Sequence, residues 1–308
     1  MTINGWQLIE RIGAGGMGEV WRAQHAHLGT GALKLLRAEL LADRDALSRF
    51  RREARTLQRI AGQCTGRVLD VEVDGSTPYI VTEYVAGPTL RAYVGRNGPI
   101  AADDVLEAFG LGLAEALTAV HAAGVVHRDL TANNVLMGSD GPKVVDFGIA
   151  RYVDANQVTT TAFSIGTPGW MSPEQIRGGD VGPPSDMFCW ALLVCFAASG
   201  RNVFGLGSAD ALLYRIVHEQ PSLPLLPPSI APAVIKALAK DPELRPTAVE
   251  VQHALELSVG TSAASFLRQA WRQQTFGAQQ PRAGTTIAGV GPRPRMRGWV
   301  RSRSGPLR

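Results

Sequence analysis

"VVHRDLTANNVL", Val125–Leu136, decides the reading of this chain. Apolar pairs at both ends tie the segment into a core, so the polar residues between them form a loop held at two points. That loop presents a carboxylate, Asp129, and a carboxamide, Asn134, five positions apart. Twelve residues past Asn134 a second acid, Asp146, follows the apolar start of "VVDFG", Val144–Gly148. An acid to orient a hydroxyl, with an amide and an acid to hold a divalent cation against phosphates, is the inventory of phosphoryl transfer. Either acid alone reads equally well as a capped turn; the two in this order favour the chemistry.

Towards the N-terminus, "RIGAGGMGEVWRA" (Arg11–Ala23) places Gly13, Gly15 and Gly18 in a G-x-G-x-x-G pattern followed by Val20. Glycines let backbone amides approach phosphate oxygens with no Cβ in the way. In a chain with 34 glycines the pattern alone is weak. A dinucleotide fingerprint also needs a helix directly after the glycines. Here "EVWRAQH" continues as a strand, which predicts a hairpin covering phosphates. Lys34 follows inside the apolar run "GALKLL". A buried ammonium needs an anion, unless its long stem carries it to water. Glu53 is the candidate partner, because it falls near Phe50 and Leu57 on the apolar seam of the next helical segment.

The wider pattern predicts two parts. Residues 6–85 are strand-rich with one amphipathic helix over 43–60, where Leu47, Phe50, Ala54 and Leu57 recur at helical spacing. Residues 103–122 read as a helix. Beyond about 185 the pattern is helical: 185–199, 208–219, 230–240 and 246–258. From Gly260 onward there are nine arginines and no acid, so the rest of the chain carries 22 cations against 27 acids, a net −5 within a total of +4. A short helix fits "SFLRQAWRQQTF"; beyond it the Gly, Pro, Ser and Arg content reads as disordered. Such a tail is solvated or meets an anionic surface. The longest apolar run, near Phe188–Ala198, is shorter than the roughly 20 residues a bilayer requires. Three cysteines without metal spacing read as reduced thiols of a cytoplasmic protein.

Taken together, these motifs resemble the eukaryotic-like serine/threonine protein kinases, in particular their bacterial branch. The resemblance runs from about Trp6 to Val259. It rests on the glycine loop, Ala32-Leu33-Lys34, Glu53, His127-Arg128-Asp129, Asn134, Asp146-Phe147-Gly148, Ser172-Pro173-Glu174, Asp186 and Arg245. It implies an α+β, bilobal fold: a small β-rich N-lobe (6–85), a larger helical C-lobe (86–259) and an Arg-rich tail (260–308) outside the domain. ATP is the implied cosubstrate, with Mg²⁺ as the metal and Mn²⁺ admitted. By the same resemblance Gly13, Ala14, Gly15, Gly16 and Gly18 cover the phosphates, and Lys34, braced by Glu53, binds them. Ile12, Val20, Ala32 and Leu136 sandwich adenine, Glu83 and Val85 bond its edge, and Thr82 closes the back of that pocket. Asp129 takes the hydroxyl proton, while Asn134 and Asp146 hold the metal. Glu174 with Arg245, and Asp186 beneath the catalytic loop, are implied structural supports.

One position departs from the family. Its members usually carry "DLKP" where this chain has "DLTA", so Thr131 stands in place of a lysine that touches the transferring phosphate. A working but slow kinase is the reading favoured; a nucleotide-binding pseudokinase scaffold is the alternative. Between Gly148 and Ser172, Thr159, Thr160 and Thr161 are the expected autophosphorylation sites, with Arg128 as the phosphate's partner. Thr167, in "GTPGW", favours Ser/Thr acceptors. The "GTP…SPE" segment favours protein substrates over the small molecules taken by other enzymes of this fold. A second copy of the chain is admitted as a partner; specific nucleic acid and a transmembrane segment are not expected.

Overall fold

A computed structural model describes residues 1–14, 18–146 and 168–271, without the side chains of Ala38, Arg49 and Glu53. Eight strands and nine α-helices lie among the described residues. The first part is an antiparallel sheet of β1 (Thr2–Ile3), β2 (Trp6–Ala14), β3 (Gly18–His25), β4 (Gly29–Leu36), β5 (Val68–Glu72) and β6 (Tyr79–Glu83), in the order β1-β2-β3-β4-β6-β5. Two register irregularities in β2, at Leu8/Glu10 and Arg11/Gly13, bend the strand as it reaches the glycine segment. The sheet begins at Thr2, four residues before the expected start.

Strand alternation gives this sheet two unlike faces. Ala23, Leu33, Tyr79 and Val81 point outward and are buried with Ile3 and Trp6 in a small apolar cluster. Trp6 and Tyr79 both donate to Asp70 Oδ2, at 2.9 Å each, which satisfies the polar ends of that cluster. The opposite parity carries Val20 across from Lys34, Lys34 across from Ile80, and Ala32 across from Thr82. Directly paired residues share a face, so these five side chains line one surface. Helix α1 (Arg44–Leu57) follows β4. Asp43 caps it, accepting from the amides of Asp45 and Ala46 at 2.9 and 3.1 Å. Of the expected seam Phe50, Ala54 and Leu57 are buried and Leu47 is half-buried, while Ala46 beside it is fully buried.

The second part is built on α3 (Asp103–Ala122), which packs against α5 (Pro183–Ser199), α8 (Ala248–Val259), α9 (Ala263–Trp271) and β8 (Pro142–Val144). By length and composition α3 is apolar enough to cross a membrane, but 67% of its apolar window is buried inside the fold. Helix α2 (Leu90–Asn97) is new relative to the sequence reading; Thr89 caps it, accepting from Ala92 N at 3.1 Å. Strand β7 (Val135–Met137) pairs with β8. Helices α4 (Pro173–Arg177), α6 (Ala209–His218) and α7 (Ala231–Ala237) complete the set. Helix α7 ends before Lys240, and α8 starts after Pro246, with a Thr247–Glu250 capping box setting its first turn.

Helix α9 continues the packed fold beyond Val259. Ala263 N donates to Glu256 Oε1 at 2.8 Å, and Ala263, Leu267, Ala270 and Trp271 are buried. The basic composition past Gly260 is real, but the apolar stripe of this helix is long enough to join the core. Cys64, Cys189 and Cys195 are free and buried. Burial pushes each thiol up, Cys195 to about 12, so none is poised as a nucleophile.

Candidate active site

The loop quoted at the outset runs between α3 and β7, and it is shaped largely by groups outside itself. Asp186, fully buried in the first turns of α5, accepts from His127 N at 2.8 Å, from Arg128 N at 2.9 Å and from His121 Nε2 at 2.9 Å. Gln175 Nε2 donates to the Arg128 carbonyl at 2.8 Å from the other side. Held in this way, Arg128 has φ = 65°, a left-handed backbone that costs a non-glycine residue energy. Asp129 follows directly and is half-buried.

Asn134 Nδ2 donates to the Asp129 carbonyl at 2.7 Å, with a longer contact of 3.4 Å to Asp129 Oδ2. Its amide nitrogen is thereby committed to the loop, which leaves Oδ1 as the atom able to face a cation. The Asn134 carbonyl accepts from Val145 N at 2.9 Å, and His127 Nε2 meets the Val145 carbonyl at 3.1 Å. Asp146 comes next, exposed and at φ = 55°. Asp129 and Asn134 are thus bonded directly, and Asp146 follows Val145, whose backbone bonds to Asn134 and His127. The donors are all oxygen, which suits a hard divalent cation. Among the described residues no three His, Cys, Asp or Glu side chains form a protein-only metal cage.

The inner face of the sheet supplies the apolar part. Val20, Ala32, Lys34, Thr82 and Leu136 are half-buried, and Ile12 is 44% exposed, in a fold whose core residues lie near zero. Val85 follows β6, and its amide N–H makes no hydrogen bond to another described residue, while its carbonyl accepts from Gly87 N at 3.0 Å. The Glu83 amide is already used, donating to Arg67 O at 2.7 Å. Open apolar side chains beside an uncommitted amide fit an aromatic base with a polar edge.

Gly18 has a reason that sequence reasoning missed. A Cβ there would sit 2.0 Å from the Leu35 carbonyl oxygen, so the pairing of β3 with β4 itself demands glycine. A Cβ on Gly13 would meet only Val20 at an ordinary 3.6 Å. Gly15, Gly16, the Glu53 side chain, Phe147, Gly148, Thr159, Thr160, Thr161 and Thr167 lie outside the described residues, and with them the Lys34–Glu53 pair. Thr131 is 4% exposed. Its Oγ1 accepts from Asn133 N at 3.3 Å and its carbonyl from Asn134 N at 3.0 Å. The hydroxyl is thus engaged in turning the loop.

Below the loop, Arg245 donates to both oxygens of Glu174, at 2.7 and 2.8 Å, and Ser185 adds a bond of 2.6 Å. This is the buried ion pair the resemblance implied.

The comparisons with known proteins agree with this geometry. Residues 6–255 match the protein kinase domain family. The chain is 38% identical to a probable serine/threonine-protein kinase PkwA of Thermomonospora curvata, over 81% of this chain and 33% of that protein. It is 35% identical to the serine/threonine-protein kinase AfsK of Streptomyces griseus, over 99% of this chain and 38% of the relative. It is 36% identical to the serine/threonine-protein kinase PknA of Mycobacterium tuberculosis, over 80% and 59% respectively. The chain thus spans about a third of the length of the first two relatives. With the motifs, the bilobal fold and these matches in agreement, the chain belongs to the protein kinase family, on its bacterial serine/threonine branch.

Proposed function

We propose that this chain transfers the γ-phosphoryl group of ATP to Ser/Thr hydroxyls of proteins. The observation that carries the reading is the frame joining Asp129, Asn134 and Asp146. Asp129 and Asn134 share one bonded loop, Asp146 follows the strand residue bonded to Asn134, and the inner sheet face carries a half-buried Lys34, which together support the reading.

Each residue then has a definite task. Asp129 accepts a hydrogen bond from the acceptor hydroxyl, orients its oxygen towards the γ-phosphorus and takes the proton as the new P–O bond forms. The bond from that phosphorus to the bridging oxygen breaks, and ADP departs with the electron pair. Lys34 binds the α- and β-phosphates electrostatically. Asn134 Oδ1 and the Asp146 carboxylate hold Mg²⁺, with Mn²⁺ as the substitute of similar ligand preference. When bound, the metal neutralises charge on the phosphate oxygens. Ile12, Val20, Ala32 and Leu136 enclose the adenine, and the Val85 amide donates to its edge.

Thr159, Thr160 and Thr161 are the proposed autophosphorylation sites, and Arg128 the phosphate's partner. The unpaired cysteines support a cytoplasmic setting.

Incubation of the chain with Mg²⁺ and γ-labelled ATP is expected to label a generic protein acceptor and the chain itself. Asp129→Asn is expected to lower labelling by about a thousandfold, the scale of losing a catalytic base with its orientation, while ADP binding persists. Labelling of neither polypeptide, or full labelling by the Asp129→Asn variant, overturns the reading. Mass spectrometry of the labelled chain is expected to place phosphate within 159–161.

A further inference from the structure

Helix α9 lies beyond the residues that match the kinase family, which end at 255. It nevertheless reaches the hairpin of β7 and β8. Trp271, 1% exposed, donates from Nε1 to the Gly138 carbonyl at 2.7 Å. One helical turn earlier Leu267, fully buried, comes within 3.4 Å of where a Cβ on Gly141 would sit. Gly138 and Gly141 close this hairpin turn, with Gly138 N donating to Gly141 O at 3.0 Å. A tryptophan and a leucine from α9 therefore press on a two-glycine turn more than 120 positions away, a turn with no side chains at its glycines to hold its own shape.

The turn adjoins two pieces of the nucleotide site. Leu136 lies two residues before Gly138 on β7, and Met137 N donates to Pro88 O at 2.8 Å. On the other side, Val85 Cγ1 lies 3.2 Å from where a Cβ on Gly138 would sit. A shift of this turn would carry Leu136 and Val85 with it, and these are the proposed floor and edge contacts of adenine. Asp129 follows Arg128, whose amide Asp186 holds, and the bond from Val145 N to Asn134 O closes the opposite end of the hairpin from this turn, so Asp129, Asn134 and Asp146 need not move.

We infer that Trp271 is a positioning residue for nucleotide binding: its indole N–H and ring, set by α9, fix the Gly138–Gly141 turn and through it Leu136 and Val85. The inference rests on the proposed nucleotide site. It assigns part of that site to a helix outside the family-matched segment.

The test uses the full chain. Trp271→Phe keeps a ring and removes the donor; Leu267→Ala relieves the second contact. Both are expected to raise the KM for ATP about three- to tenfold, the scale of one hydrogen bond or a few methylenes. The kcat and the KM for the protein acceptor should stay within about twofold, since the groups at the phosphorus are unmoved. Amide exchange over residues 136–141 of the nucleotide-free chain should speed up in both variants. If Trp271→Phe fails to fold, Leu267→Ala carries the comparison. An unchanged KM for ATP in a folded variant overturns the inference even when thermal stability falls, because α9 would then only stabilise the lobe. In that result the wild type still turns over ATP and the proposed function stands. A wild type that binds no ATP removes both.

Discussion

The Glu174 carboxylate lies buried against Arg245 and Ser185, and burial alone would raise its pKa. The hydrogen bonds from Arg245 and Ser185, with the charge of Arg245, outweigh that and hold the carboxyl below the usual carboxylate range. A depressed carboxylate contributes stability above its unfolded pKa and loses it as pH falls through the folded one. The chain is therefore expected to lose stability on acidification below the ordinary carboxylate range, and Glu174→Gln should flatten part of that slope in urea titrations. Arg245→Ala leaves a buried charge unpaired and should cost about 3–5 kcal/mol, read from the same curves. Thr131 poses the opposite kind of question, because its hydroxyl serves the loop and offers no charge to a phosphate. Thr131→Lys should raise transfer to a protein acceptor by about tenfold or more, the scale of adding one charged donor at the transition state. At a site this buried the new ammonium must reach the cleft along its own stem. An unchanged rate would mean that the threonine does not limit turnover.

Among the elements, α2 is held by one cap. Thr89→Ala removes the acceptor for Ala92 N and should cost about 1 kcal/mol, seen as a drop of roughly 2–4 °C in Tm. This helix was hidden in the sequence because eight residues, with Gly95 and Asn97 among them, give too little periodicity to stand above their surroundings. Strand β1, two residues long, was hidden for the same reason. Helix α9 was half legible: a short helix fits "SFLRQAWRQQTF", but its burial depends on a turn at Gly138–Gly141, which no local pattern announces. The chemistry-bearing residues were far easier to read. Asp129 and Asn134 must share one loop, and Asp146 must leave the next hairpin, so geometry forces them into short, fixed spacings. Lys34 stood out as a cation inside an apolar strand, but the face it takes follows from its pairing with Val20 and Ile80 on neighbouring strands. The demand on Gly18 was not visible, since it comes from Leu35 on the neighbouring strand.

At the scale of the molecule, a ligand touching both the sheet face and the loop frame must stabilise the two parts together. ADP at about a hundredfold over its Kd should add roughly 2.7 kcal/mol, a rise in Tm of about 5 °C or more with Mg²⁺ present. Asp146→Asn should shrink the Mg²⁺-dependent share of that rise in differential scanning fluorimetry and leave the metal-free share in place. A metal-dependent rise of wild-type size in that variant would remove Asp146 from the cation site. The same wide spacing has a consequence for the chain as it is made. Asp186 shapes a loop 58 positions earlier, and Glu174 awaits Arg245, 71 positions later. A nascent polypeptide that has just released residue 150 from the ribosome already holds Lys34, Asp129 and Asn134. It lacks the Asp186 carboxylate that holds the His127 and Arg128 amides just before Asp129, and Arg245 as well, so translation delivers an idle precursor until both have emerged.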